Sequence, residues 1–149
     1  MANYFDHLRV TQIGYIVKDI NEARQRFAQF FSMDVPDIIV TAGYEQAQTE
    51  YRGEPSHATA KLSFFHLENL DIELIEPDEK PSVWREFLEE HGEGIQHLAF
   101  EIKGMKQKIE LFGRDSMELL QKGEYTGGRY AYIDTTKAIN TVVELLEND

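Results

Sequence analysis

The chain has 149 residues, of which 42% are hydrophobic and 11% aromatic, a composition typical of one folded globular domain. Its 27 acidic and 15 basic residues give a formal net charge of −12, which argues against nucleic acids and acidic membrane surfaces as partners. Cysteine is absent, which excludes disulfides and thiolate metal sites, and the lack of a signal peptide or membrane span predicts a cytoplasmic protein.

The first half of the chain predicts a strand, a helix and three further strands. Residues 8–17 alternate between apolar and polar positions as a half-buried strand does. Asp19 and Glu22 form a capping box for a helix that ends near Met33. A long polar loop is expected at 45–57. The other strands of this half are expected at residues 37–44, 58–67 and 70–76.

A short linker helix and a second set of the same elements follow. Ser82 caps the linker helix, which runs through Glu90 and stops at Gly92. A strand from Ile95 to Lys103 then leads into a helix at 104–114. Three more strands are expected at residues 117–121, 129–134 and 141–147, with a turn at 123–128.

The two halves also resemble each other in sequence. Residues 11–20 recur as residues 96–105, and residues 72–76 recur as residues 143–147. A duplicated half-domain builds one site from two similar halves. The predicted fold is therefore α+β, a single domain of two βαβββ modules that form a curved mixed sheet around a central cavity. The modules span about 8–77 and 95–147, joined by the linker helix at about 82–91.

The repeat places four side chains that can bind a metal at matching positions. Gln12 and His97 occupy the same position of the two first strands, and Glu73 and Glu144 the same position of the two last strands. In each strand the apolar residues take the other parity, so these four side chains are expected on the concave face. The small residues Gly14 and Ala99 lie two positions after Gln12 and His97 and leave room for an ion.

One imidazole, two carboxylates and one amide oxygen suit a divalent cation of intermediate hardness. They favour zinc, nickel, cobalt, manganese or ferrous iron over calcium, without selecting among them. Any one of the four side chains alone is better explained as a surface or core group, and the joint metal site depends on their equivalent places in the repeat. Trp84 is expected to be a core anchor. The histidines without a repeat partner are expected to be structural or exposed: His7, His57, His66 and His91.

Almost the whole chain, about 8–147, resembles the vicinal oxygen chelate superfamily, which includes glyoxalases, bleomycin resistance proteins and dioxygenases. Within it, the stretch 82–102, with its Phe87-Leu88 pair and the run from His91 to Ile95, looks most like methylmalonyl-CoA epimerase, as does 72–77. The set Gln12, Glu73, His97 and Glu144 is instead similar to the metal ligands of some glyoxalase I enzymes.

The resemblance implies a metal-dependent enzyme that removes a proton beside a carbonyl, and a homodimer is the expected assembly. The expected partner is a small carbonyl or thioester substrate, in first place a methylmalonyl-CoA-like thioester. Gln12, Glu73 and His97 would hold the metal, with Glu144 as a ligand or as the displaceable catalytic base. Two alternatives stay open: a glyoxalase I-type lyase, and a non-catalytic protein that binds a drug-like molecule.

Overall fold

The computed structural model describes residues 2–149. The elements of the first half are β1 (Gln12–Ile16), α1 (Ile20–Phe31), β2 (Ile39–Val40), α2 (Tyr44–Ala47), β3 (Glu50–Tyr51), β4 (Glu54–Pro55), β5 (Ala60–His66) and β6 (Asp71–Pro77). Those that follow are α3 (Val83–His91), β7 (Gly94–Glu101), α4 (Met105–Arg114), β8 (Leu119–Tyr125), β9 (Gly128–Ile133), α5 (Thr136–Ile139) and β10 (Val142–Asn148).

All ten strands belong to one curled mixed sheet in the order β2-β5-β6-β1-β7-β10-β9-β8-β3-β4. β1 and β7 pair antiparallel at its middle, and each has a parallel neighbour on its other side, β6 and β10. Outward from this central pair, β1 is followed by β6, β5 and β2, and β7 is followed by the corresponding strands β10, β9 and β8. This half-barrel confirms the predicted α+β fold class, and we propose that its two halves are the predicted modules.

The two long helices of the repeat cover the convex face of the sheet. α1 packs on Ile72 and Leu74 of β6, and α4 packs on Val143 and Leu145 of β10. Burying these apolar residues under the helices fixes the register, because a slip of one residue would turn them to the opposite face. The residues between them, Glu73 and Glu144, must therefore face the concave side.

The linker helix α3 starts and stops where its sequence predicts. The Ser82 hydroxyl accepts a hydrogen bond from the Arg85 backbone N–H, and Gly92 ends the helix with a φ of 79°. Within residues 2–149, no helix is both long and apolar enough to span a membrane.

Three element boundaries differ from the sequence prediction. The first strand begins at Gln12, since Leu8 is exposed to solvent. The strand expected at 37–44 shrinks to the two residues of β2, and Tyr44 already begins α2. The turn expected at 123–128 is only two residues long, because Tyr125 pairs with Gly128 and extends β8 to the hairpin.

The polar loop predicted at 45–57 contains structure that the sequence did not indicate. After α2, the β3–β4 hairpin leaves the half of the sheet that contains β5 and β6 and pairs with β8 in the other half, Glu50 opposite Lys122 and Tyr51 opposite Gln121. The segment from β2 to β4 thus crosses from one end of the sheet to the other. This crossing covers part of the concave face.

Candidate metal centre

Two rows of paired residues cross the middle of the concave face. In the first row, Gly14 of β1 lies between Glu73 of β6 and His97 of β7. In the second row, Ala99 of β7 lies between Gln12 of β1 and Glu144 of β10. The repeat thus places the four predicted ligands on four adjacent strands.

Three of these side chains converge. His97 Nε2 lies 3.0 Å from Glu144 Oε2 and 3.5 Å from Glu73 Oε1, and one ligand atom of each residue lies within 4.8 Å of the others. Glu73, His97 and Glu144 are only 7%, 0% and 5% exposed. The nitrogen and the two oxygens that could bind a cation therefore lie close together and are almost inaccessible to solvent.

These three buried atoms lack the partners that buried polar atoms usually have. Within residues 2–149, none of Glu73 Oε1, His97 Nε2 and Glu144 Oε2 makes a hydrogen bond, although the 3.0 Å contact is short enough for one. Ligands about 2.0–2.2 Å from a transition metal are separated from each other by roughly 3.0–3.5 Å. The spacing and the missing hydrogen bonds both fit donors arranged around a cation.

Gln12 is the fourth predicted ligand and lies in the wall of the same cavity, partly exposed. Its amide contains both an acceptor oxygen and donor hydrogens, so it can complete the coordination or bind a ligand. The structure brings Glu73, His97 and Glu144 together as a trio and places Gln12 beside them.

Gly14 provides the space in which His97 lies. A Cβ at residue 14 would overlap the imidazole ring of His97. Ala99 occupies the equivalent place in the second module and carries a methyl group there. The absent side chain at residue 14 is therefore what lets the ring cross β1 toward Glu73.

Gln96 orients the His97 ring, a role that the sequence analysis missed. Its Nε2 donates to the Val83 carbonyl at 3.2 Å, which leaves its Oε1 facing His97 Nδ1 at 2.9 Å. Nδ1 must then carry a proton, and the lone pair of the neutral ring lies on Nε2, toward the carboxylates. Alternation drew attention only to His97, because it does not reveal the irregularity in β7 at Gln96, whose partners are the neighbouring ring and a carbonyl of α3.

Burial and charge act in opposite directions at the trio. Burial is the largest influence on the pKa of His97 and lowers it, but the charges of Glu144 and Glu73 and the close contacts of both carboxylates with the ring together outweigh it and raise the pKa to about 9. Burial raises the pKa of Glu73 despite the nearby imidazole. A divalent cation would compensate both carboxylate charges, which is a further reason that the residues fit one.

The cavity above the trio has a volume of about 670 Å³. Trp84 is buried as predicted, and its Nε1 donates to the Tyr132 hydroxyl at 2.9 Å, while the Tyr132 ring stands edge-on to His97. Glu45 and Glu50 do not line the cavity. Its walls include Ile39, Val40, Gln46, Thr49, Leu62, Phe64, Trp84, Glu101, Glu124, Tyr125, Tyr130, Tyr132 and Leu146.

The remaining histidines lie outside the cavity. His7, His57, His66 and His91 are all exposed, and His66 pairs with Asp71 at the start of β6. This agrees with the expectation that they are structural or exposed.

Known proteins resemble the chain over nearly its full length. It is similar to the uncharacterized protein YqjC of Bacillus subtilis, 27% identical over 142 residues that cover 93% of this chain and 91% of YqjC. The solved methylmalonyl-CoA epimerase of Mycobacterium tuberculosis matches with a TM-score of 0.65 and 18% identity, over 100% of this chain and 93% of that chain. Hypothetical protein BH1468 of Bacillus halodurans matches with a TM-score of 0.64 and 18% identity, over 95% and 94%.

The family comparison covers three of the four predicted ligands. A model of the Glyoxalase/Bleomycin resistance protein/Dioxygenase superfamily matches residues 11–133, which include Gln12, Glu73 and His97. The solved structures, at 18% identity, show a shared fold. Since the family model matches well over half of its length, the chain belongs to the Glyoxalase/Bleomycin resistance protein/Dioxygenase superfamily.

Proposed function

We propose that this chain is a metal-dependent isomerase or lyase that removes a proton next to a carbonyl group. The observation that carries the proposal is the trio Glu73, His97 and Glu144, whose buried donor atoms converge without hydrogen bonds among residues 2–149. The cavity directly above it is large enough for a small carbonyl compound.

Glu73 and His97, with Gln12 beside them, would hold the cation, and Glu144 would be a displaceable ligand that serves as the catalytic base. A divalent cation held there would supply a Lewis acid for the negative charge that develops on the substrate oxygen. Glu144 takes the proton as the C–H bond breaks, and the electron pair of that bond moves toward the carbonyl oxygen. Gln96 keeps His97 in the tautomer that can bind the cation.

Substrate identity is a separate part of the proposal. The name of the structurally similar epimerase suggests a methylmalonyl-CoA-like thioester. The ligand set suggests the hemithioacetal of methylglyoxal and glutathione. An uncharged α-hydroxyketone such as dihydroxyacetone has the same acidic C–H beside a carbonyl, so we include it in the substrate panel.

Metal binding gives the first test. We expect the purified protein to retain a transition metal, or to bind one equivalent of added Co²⁺ after treatment with a chelator, as measured by elemental analysis. The Glu73→Gln variant, which has one charge fewer in nearly the same volume, should bind Co²⁺ more weakly by at least about tenfold. A wild-type protein that neither retains a metal nor binds added Co²⁺ would overturn the proposal.

Exchange of substrate hydrogen with deuterated water gives the second test. The metal-loaded protein should catalyse exchange at the carbon next to the carbonyl in at least one panel member, followed by NMR. Glu144→Gln should lower the exchange rate by a factor of about 10² or more while the fold is kept. The Glu118→Gln variant, with the same chemical change at an exposed site, is the matched control; an active Glu144→Gln enzyme would reject the role of Glu144.

A non-catalytic binding protein is the second candidate. The observation that favours it is the aromatic wall of Trp84, Tyr130 and Tyr132, which can hold a flat molecule without any chemistry. Ligand binding that is equally tight with and without metal, together with no exchange in the panel, would favour this second candidate.

A further inference from the structure

The charged groups that line the cavity are all of one sign. Within the described residues 2–149, the lining contains no lysine or arginine and four glutamates: Glu73 and Glu144 in the trio, and Glu101 and Glu124 at the open side. A divalent cation would compensate the two glutamates of the trio. It would leave the two at the open side, both exposed, to meet an entering ligand.

The glutamate best placed to act on a ligand is Glu101. It follows His97 and Ala99 at alternate positions of β7, so the pleat turns it to the concave face. Its neighbour across the sheet is Leu146, another lining residue. Glu124 differs, because Arg129 Nε lies 3.5 Å from its Oε2 and offsets part of its charge.

The basic residues closest in sequence to the lining face elsewhere. Arg129 alternates with the lining residue Tyr130, and its guanidinium pairs with Glu147 and Asp149. Lys61 alternates with Leu62 and pairs with Glu76, and Arg85, which follows Trp84 in α3, pairs with Glu89. Phosphate groups in proteins are held mainly by arginine, lysine and the N-termini of helices, so these walls offer a polyphosphate no side-chain cation.

The uncharged part of the wall suits an apolar or cationic body. Ile39 and Val40 remain more than half exposed at the mouth, and Phe64, Trp84 and Tyr130 lie deeper. Aromatic faces attract cations and repel anions because of their negative π-electron density. Together with the carboxylate of Glu101, they disfavour a negatively charged ligand within the ~8 Å Debye length of physiological salt.

We infer that the substrate is a neutral or cationic compound with an apolar body, and neither a coenzyme A thioester nor an anionic glutathione adduct. The inference rests on the proposed function in one respect: an oxygen of this compound would reach the trio. Within the substrate panel, the charge criterion alone favours the uncharged hydroxyketone over the two anionic members.

Three hydroxamates of one shape test the inference: benzohydroxamic acid, which is neutral, its 4-carboxy derivative, which is anionic, and its 4-aminomethyl derivative, which is cationic. Trp84 is the only tryptophan of the chain and lines the cavity, so quenching of its fluorescence reports binding. The titrations use both Co²⁺-loaded and metal-free protein, and coenzyme A is the fourth ligand. We expect the cationic probe to bind at least about tenfold more tightly than the anionic one, and coenzyme A most weakly.

Two single-charge variants show which carboxylate is responsible. Glu101→Gln should reduce the ratio of cationic to anionic affinity severalfold. Glu68→Gln removes the same single negative charge at an exposed turn outside the cavity and should leave the ratio unchanged. Added sodium chloride should reduce the ratio in the wild-type protein.

The outcomes separate this inference from the proposed function. Equal or tighter binding of the anionic probe or of coenzyme A would overturn the inference, as would the absence of quenching by every ligand in both protein forms. If the cationic preference is found but Co²⁺ changes no affinity, the inference stands and the metal-dependent function is rejected.

Discussion

The position of the imidazole at the centre of the cavity depends on one missing methyl group. Gly14 lies opposite His97 across the β1–β7 pair, and any side chain there would occupy the place of the ring. The φ of Gly14 is not in the left-handed region, so the demand is for space alone. The equivalent Ala99 shows that the other module tolerates a methyl at this position because no ring lies over it.

Gly14→Ala should therefore displace His97. We expect Co²⁺ affinity to fall by a factor of ten or more, because the variant loses one of its three closest ligands, and the free energy of unfolding to fall by about 1–3 kcal/mol from overpacking. Isothermal titration calorimetry and urea denaturation measure the two effects. Gly43→Ala is the control, since a Cβ there meets nothing within 4 Å; equal Co²⁺ affinity in both variants would contradict the argument.

Two tyrosines of the cavity wall link stability to alkaline pH. Burial raises the pKa of Tyr130 and of Tyr125 to about 12 from an ordinary value of 10. A folded-state pKa above the unfolded one contributes stability that is complete below pH 10 and is lost as the pH rises through 12. Urea midpoints between pH 9 and 12 should fall less steeply in Tyr130→Phe than in the wild type; parallel curves would show that Tyr130 does not contribute.

At the scale of elements, both backbone groups of Val83 join the linker helix to the sheet. The Val83 N–H donates to Gln121 Oε1 at 2.8 Å, and the Val83 carbonyl accepts from Gln96 Nε2 at 3.2 Å. Both glutamines are buried, but only Gln96 also contacts His97. Gln96 and Gln121 thus make comparable hydrogen bonds to α3, but only Gln96 also contacts a residue of the candidate metal centre.

The two glutamines predict different effects on stability and metal binding. Gln96→Ala and Gln121→Ala should each lower the free energy of unfolding by about 1–3 kcal/mol, because each removes a buried hydrogen bond to the backbone of Val83. Only Gln96→Ala should also weaken Co²⁺ binding, by about 10–100-fold, because the ring loses its orienting acceptor. Equal losses of Co²⁺ affinity in both variants would assign the effect to the helix rather than to the ring.

The alternation of apolar and polar residues explains how much of the fold and of the candidate metal centre could be predicted from the sequence. Alternation in β6 and β10 was enough to predict that Glu73 and Glu144 face the concave side, because the apolar residues between them pack under the helices on the other side. The β3–β4 hairpin could not be predicted in the same way. Its strands have two residues each, too few to show alternation, and their position depends on pairing with a strand about 70 residues later. The role of Gln96 was not predicted for a similar reason, since its partners are the neighbouring His97 ring and a backbone carbonyl of α3.

At the scale of the whole molecule, the candidate metal centre is built from both halves of the sheet. Glu73 belongs to the first predicted module, and His97 and Glu144 belong to the second. Only the folded chain brings the three side chains together. A cation bound by all three should therefore stabilise the folded state, and more strongly the tighter it binds.

Co²⁺ should therefore raise the melting temperature of the whole chain in a single transition. At a concentration one hundred times the dissociation constant, the stabilisation is about 2.7 kcal/mol, or roughly 5–10 °C for a domain of this size. Differential scanning calorimetry of the chelator-treated protein with and without Co²⁺ measures the shift. Glu73→Gln should lose most of it, and a shift as large as in the wild type would show that the cation binds elsewhere.

The crossing of the β3–β4 hairpin has a consequence for any attempt to divide the protein. A cut in the connection between β6 and α3 would leave the hairpin on the first fragment and its sheet neighbour β8 on the second. Neither fragment could then complete its own hydrogen bonding, despite the internal duplication. The two pieces should regain native structure only as a complementing pair, each supplying an edge that the other lacks.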